Sequence, residues 1–176
     1  MYFLFFLILL LAVILLISRY TYQVAFFSPV SGRSTIDDPV KGEQYEEVAD
    51  NIYRISHIME KIPFEPITIE SHDGLKLYGR YYHIQDGAPI EILFHGYRSC
   101  AYRDCSGGHA LARKMGFNTL VVDQRAHGNS EGTTITFGIL ERCDCLSWIH
   151  YVNNRFGDQV PVLLSGLSMG AATVLM

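Results

Sequence analysis

The pentapeptide Gly166-Leu167-Ser168-Met169-Gly170 stands between an apolar run, Val160-Pro161-Val162-Leu163-Leu164, and Ala171-Ala172-Thr173-Val174-Leu175-Met176, which reads as the start of a helix. This commits the chain to a strand that turns sharply into a helix. The serine of such a turn takes strained backbone angles, and side chains at the flanking glycine positions would collide with neighbouring main chain. The turn lifts the Ser168 hydroxyl above the end of the strand and aims the first free amides of the helix at the same spot. Strand before and helix after are what separate this pattern from a chance loop.

Two more short apolar runs precede it, Ile90-Glu91-Ile92-Leu93-Phe94 and Thr119-Leu120-Val121-Val122. Runs of this length suit strands of a parallel sheet buried on both faces. Between them His109 to Met115 reads as the end of a helix closed by Gly116, and between the second of them and Val160 to Leu164, Ile139 to Phe156 reads as a helix closed by Gly157. Strand alternating with helix predicts a largely parallel sheet with right-handed crossovers. Upstream, Ile67 to Glu70 and Leu75 to His83 are joined through His72-Asp73-Gly74, an opening hairpin. Before it, Val48, Ile52, Ile55, Ile58 and Met59 recur at helical steps between Tyr45 and Lys61.

The N-terminus is of another kind. From Tyr2 to Ile17 every residue is apolar or aromatic, enough for a helix of roughly 24 Å, slightly short of a bilayer core unless Ser18 extends it. Arg19, Tyr20 and Tyr22 then suit the membrane interface, with Val24 to Phe27 along its surface. A cleaved signal peptide is the alternative, but no basic segment precedes the run and no clear small-x-small site follows it. Residues 1–27 are therefore expected to form a single-pass anchor. Residues 28–43, rich in Pro, Gly and Asp, form a linker, and 44–176 the domain. Arg19 and Arg33 follow the span, which favours a cytoplasmic domain.

A formal net charge of −4 supplies no basic field for nucleic acid. Cys100, Cys105, Cys143 and Cys145 lack the spacing of a zinc site and suit buried or half-buried thiols. No motif implies a metal or an organic cofactor.

A serine so placed suits nucleophilic attack, which requires donors for the oxyanion. The amide of Met169 follows the serine, and His95-Gly96-Tyr97 closes an earlier strand where a second donor belongs. The hole is assigned to the amides of Met169 and Tyr97, with Gly96 admitting close approach of the main chain. His95, at the root of that loop, suits shaping it, the alternative being a general base. Asp123-Gln124-Arg125-Ala126-His127-Gly128-Asn129-Ser130-Glu131-Gly132 follows the second buried strand. There Asp123 and Arg125 are expected to satisfy buried backbone groups, and His127 is the residue of the loop open to a role as base.

His95-Gly96-Tyr97, Asp123-x-Arg125-x-x-Gly128-x-Ser130 and Gly166-x-Ser168-x-Gly170, in this order and each after a strand, resemble the α/β-hydrolase superfamily. The serine aminopeptidase-like and monoglyceride-lipase-like branch, with its membrane-anchored bacterial forms, is the nearest in kind. The resemblance covers Ile67 to Met176. It implies a mostly parallel sheet with helices on both faces, a serine hydrolase acting on an ester, acyl-lipid or short-peptide carbonyl through an acyl-enzyme, and a triad acid and histidine later in the chain. With Ser168 so near the end of the sequence, those two residues have no match here. The expectation is therefore a domain truncated after the elbow, nearly inert as written, from a partial gene or an incomplete sequence. The rival reading is an inactive, membrane-anchored binding protein.

Overall fold

The computed structural model describes residues 2–40 and 42–176, so Met1 of the expected anchor and Lys41 of the expected linker lie outside the description. Five strands form one sheet in the order β1-β2-β4-β3-β5, with β1 Glu65–Glu70, β2 Lys76–Tyr82, β3 Ile90–Phe94, β4 Asn118–Val122 and β5 Val162–Gly166. The hairpin β1–β2 is antiparallel and β2 meets β4 antiparallel, whereas β4, β3 and β5 run parallel. The expected opening hairpin and parallel core are both present.

Alternation along the strands divides the core. Ile90, Ile92 and Phe94 of β3, with Leu120 and Val122 of β4, pack with Trp148 and Val152 of helix α4, Glu141–Phe156. Leu93 and Val121 point the other way, towards Met59 of α2, Ala49–Glu60, and Ala101 and Cys105 of α3, Ala101–Lys114. Helices thus cover both faces. Gly79 in β2 makes room for Trp148, whose ring lies 2.9 Å from where a Cβ would sit.

The differences from expectation have local causes. Helix α3 ends where His109 to Met115 indicated, and its start, which Gly107 and Gly108 as poor helix formers hid, lies at Ala101. Gly108 lets the helix press on the sheet, its Cβ position being 3.0 Å from Leu93 Cδ2. Helix α2 starts only at Ala49, after a single 3₁₀ turn at Glu43–Tyr45. The apolar run before the elbow forms an outer strand of the sheet, with Leu163 37% exposed.

Helix α1, Tyr2–Ala25, is long and apolar enough to cross a membrane, a description that a signal sequence near an N-terminus also meets. Residues 28–40 lie against the domain. Ser28 donates to the Ala126 carbonyl at 2.8 Å, and Arg33 reaches the carbonyls of Gly128, Ser130 and Gly132 at 2.6–2.7 Å. All four cysteines are free thiols, with Cys100, Cys105 and Cys145 buried.

Candidate active site

Ser168 sits between β5 and α5, Met169–Leu175, at φ 54° and ψ −113°, a region that non-glycine residues rarely occupy. The packing explains both flanking glycines. A Cβ on Gly166 would lie 2.1 Å from the Gly170 carbonyl oxygen, and one on Gly170 would lie 2.2 Å from that of Phe94. The Leu167 amide donates to the Phe94 carbonyl at 3.0 Å, pinning the turn to the end of β3. The exposed Ser168 side chain faces a cleft of about 890 Å³ that Gly96, Tyr97, Ser34 and Asp38 also line.

After β3 the chain passes under this serine, the Cβ position of Gly96 lying 3.5 Å from Ser168 Cβ. Three of the four amides in this loop are engaged. Gly96 donates to Asp104 Oδ2 at 2.8 Å, Arg98 to His127 Nε2 at 3.1 Å, and Ser99 to the Gly96 carbonyl at 3.3 Å. Tyr97 N–H has no acceptor among the described residues, and neither has Met169 N–H at the start of α5. Two unspent donors thus flank the serine. Asp104, which also accepts from Ser99 Oγ at 2.6 Å, fixes the loop from inside α3.

His95 and His127 have no free nitrogen to offer Ser168. His95 Nδ1 lies 2.8 Å from the Gly96 carbonyl and its Nε2 accepts from Gln124 N–H at 3.1 Å. His127 Nδ1 lies 2.8 Å from the Arg125 carbonyl while its Nε2 is taken by Arg98. Both rings therefore carry their proton on Nδ1 and serve as struts. Burial, then the neighbouring His95, lowers the pKa of His127 to about 3, and burial lowers that of His95 as well. Neutral when folded, these rings bind protons more readily once unfolded. Stability is then intact above about pH 6.5 and drains as pH falls towards the folded value. His127→Gln is expected to remove one proton's worth of that slope in denaturant titrations across the acid limb; an unchanged slope would refute the buried neutral ring.

Asp123, only 2% exposed, receives Arg80 through two bonds of 2.9 and 3.2 Å and the Asn129 amide at 3.0 Å. Burial alone would lower the Arg80 pKa, but the Asp123 carboxylate more than reverses this and raises it. Arg125 pairs with both oxygens of Asp144 at 2.7 Å and with Asp73 at 3.0 and 3.1 Å. Its hydrogen bonds, with that of Ser71, hold the Asp73 carboxyl down to about 2. The guanidinium thus fills the place between Asp73 and Asp144, which with His72 form the acidic cluster capable of facing a cation. Both residues serve the loop, through side chains instead of the backbone groups expected for them, although Asp123 does take the Asn129 amide.

Four contributors escaped the sequence reading: Asp104, Gln124, Arg33 and Arg98. Gln124 ties the His95 carbonyl to Thr173 of α5. Arg98, at φ 48°, reaches back to the end of α1 and the residues just after it, donating to the Val24 and Phe27 carbonyls at 2.9 and 2.8 Å, while the Tyr97 hydroxyl donates to the Ala25 carbonyl at 2.8 Å. No short motif announces contacts of such sequence separation.

No family model matches the chain. The uncharacterised protein YqkD of Bacillus subtilis is 26% identical over 144 residues, 82% of this chain and 45% of that protein. The esterase Pf2001 of Pyrococcus furiosus superposes with a TM-score of 0.58 at 27% identity, over 64% of this chain and 46% of its own. Est1E of Butyrivibrio proteoclasticus, solved with ferulic acid bound, has a TM-score of 0.53 at 21% identity, over 61% of this chain and 45% of its own. The chain spans less than half the length of each of these proteins. Its fold is that of the α/β hydrolases, with one long apolar helix at the N-terminus.

Proposed function

We propose that this chain is the anchored, nucleophile-bearing part of a serine hydrolase. The observation that carries the reading is the strained, exposed Ser168 lying beside two unspent amides, those of Tyr97 and Met169. In the reaction proposed, Ser168 Oγ attacks a carbonyl carbon and loses its proton to a base. The carbonyl oxygen becomes an oxyanion that accepts from the two amides. The leaving group departs with a proton, and water releases the acyl group from Ser168. The two histidines beneath this turn are struts, so the base and its acid partner are assigned to the full-length protein beyond Met176.

The kinship with esterases favours an acyl ester over a peptide, and the sub-branch expected is that of the membrane-anchored, monoglyceride-lipase-like enzymes. Helix α1 is read as a single-pass anchor. Arg19 and Arg33 follow it, and the four free thiols suit a reducing compartment, so the domain is assigned to the cytoplasmic side. The test is to treat the full-length protein with a fluorophosphonate probe and map the adduct by mass spectrometry. Label on Ser168 supports the hydrolase. Label on another residue, or none on a folded protein, overturns it in favour of an inactive binding protein.

A further inference from the structure

Between β4 and α4 the run Thr133-Thr134-Ile135-Thr136-Phe137-Gly138-Ile139-Leu140 carries no charged side chain. It is fastened to the end of α1. The Ile135 amide donates to the Phe26 carbonyl and the Ser28 amide to that of Thr133, both at 2.8 Å, and the Tyr22 and Thr134 hydroxyls are 3.1 Å apart. Phe26 meets Phe137 edge to face with centroids 5.6 Å apart. The loop is stiff as well as apolar. The buried Glu141 carboxylate accepts from the Thr136 amide at 2.7 Å, its hydroxyl at 2.6 Å and the Gly138 amide at 2.8 Å.

Within this frame Phe137 takes φ 52°, costly for a bulky residue, and remains 40% exposed. Ile139 is 59% exposed, Phe26 38%, Phe27 37% and Val30 70%. A strained backbone that holds an aromatic ring outwards, in one apolar collar with the end of a membrane-length helix, needs an apolar or interfacial solvent to cover it. Length supplies the level. At 1.5 Å per residue α1 is roughly 36 Å long against a hydrocarbon core of about 30 Å, which leaves the turn bearing Tyr22 in the headgroup layer. The loop is bonded to that turn.

We propose that the Thr133–Ile139 loop is a second membrane contact, with Phe137 and Ile139 entering the interfacial layer beside α1, so that the covering partner of this face is the lipid surface. The inference rests on α1 being an anchor. It has a consequence for the cleft: Tyr97, which lines it beside Ser168, stacks on Phe137 with centroids 4.9 Å apart and planes at 26°. The mouth of the cleft is then held against the bilayer, where single acyl chains are presented, and the substrate class narrows to membrane-resident acyl esters.

The experiment places an environment-sensitive NBD label at single positions of the full-length protein in vesicles of phosphatidylcholine and phosphatidylglycerol. Leu9→Cys probes the anchor, Phe137→Cys and Ile139→Cys the loop, and Asp158→Cys an exposed site before β5, at the opposite end of the parallel strands. Cys143→Ser removes the one native thiol that is not buried. Blue-shifted emission at 137 and 139, quenched by lipids carrying a spin label near the carbonyl, is expected, with position 158 unaffected. Quenching at 9 while 137 and 139 behave like 158 overturns the loop contact and leaves the anchor. Quenching at 137 and 139 without 9 overturns the anchor, and with it the inference that rests on it. Quenching at none of the three overturns both.

Discussion

Ser168→Ala is expected to lower hydrolysis of a short acyl ester by the full-length protein about 10⁴-fold or more, while the melting curve barely moves. The first half follows from chemistry: without the hydroxyl no acyl-enzyme forms, and what remains is the effect of binding and the two amides, which act on water with no nucleophile held in place. The second half follows from position. The side chain is exposed, and alanine inherits the backbone angles unchanged, so the stability change should stay within roughly 0.5 kcal/mol. Turnover of p-nitrophenyl butyrate, measured beside a thermal melt, separates the two. A variant that keeps activity within about tenfold of the parent removes Ser168 from the chemistry, since no triad member is that dispensable.

The largest effect on stability is expected at Asp123→Ala. That carboxylate and Arg80 are both almost fully buried, with side chains 3% and 7% exposed. Arg80 also lies over the rings of Tyr78 and Tyr102, 4.9 and 4.5 Å from their centroids, so its charge has no route to water. Removing the carboxylate leaves an uncompensated guanidinium inside the domain, which costs about 3–5 kcal/mol. It also frees the Asn129 amide. The cost is a large fraction of what holds a domain of this size together. Urea unfolding should show the midpoint displaced accordingly, with Asp123→Asn intermediate because it retains hydrogen-bonding oxygen. A loss under about 1 kcal/mol would mean that water reaches Arg80, contrary to its packing.

Much of this was legible in the chain, for reasons that particular residues make plain. Ile90 to Phe94 and Thr119 to Val122 read as buried strands because helices cover both faces of the sheet there, so neither face needs polar residues. The elbow was legible because its glycines answer to backbone clashes that allow no other residue. The start of α3 was hidden by Gly107 and Gly108, of which Gly108 serves to approach Leu93 and not to break the helix. Tyr97 was singled out by its place after a strand, yet why its amide and not its neighbours' is left over depends on Asp104 and His127, a matter of tertiary geometry. The docking of residues 28–40 was equally beyond reach: a stretch of Pro, Gly and Asp looks like a tether until Arg33 finds three carbonyls almost a hundred residues away.

The positive φ of Ser168 carries an evolutionary signature. Glycine would relax that backbone, so Ser168→Gly is a step towards a steadier fold that has given up its reaction. Under the proposed function, selection for activity is what keeps the less comfortable residue in place. Among related chains, glycine at this position beside intact Gly166 and Gly170 would mark lineages that drifted to a scaffold role, and its rarity would measure how strictly the chemistry has been required.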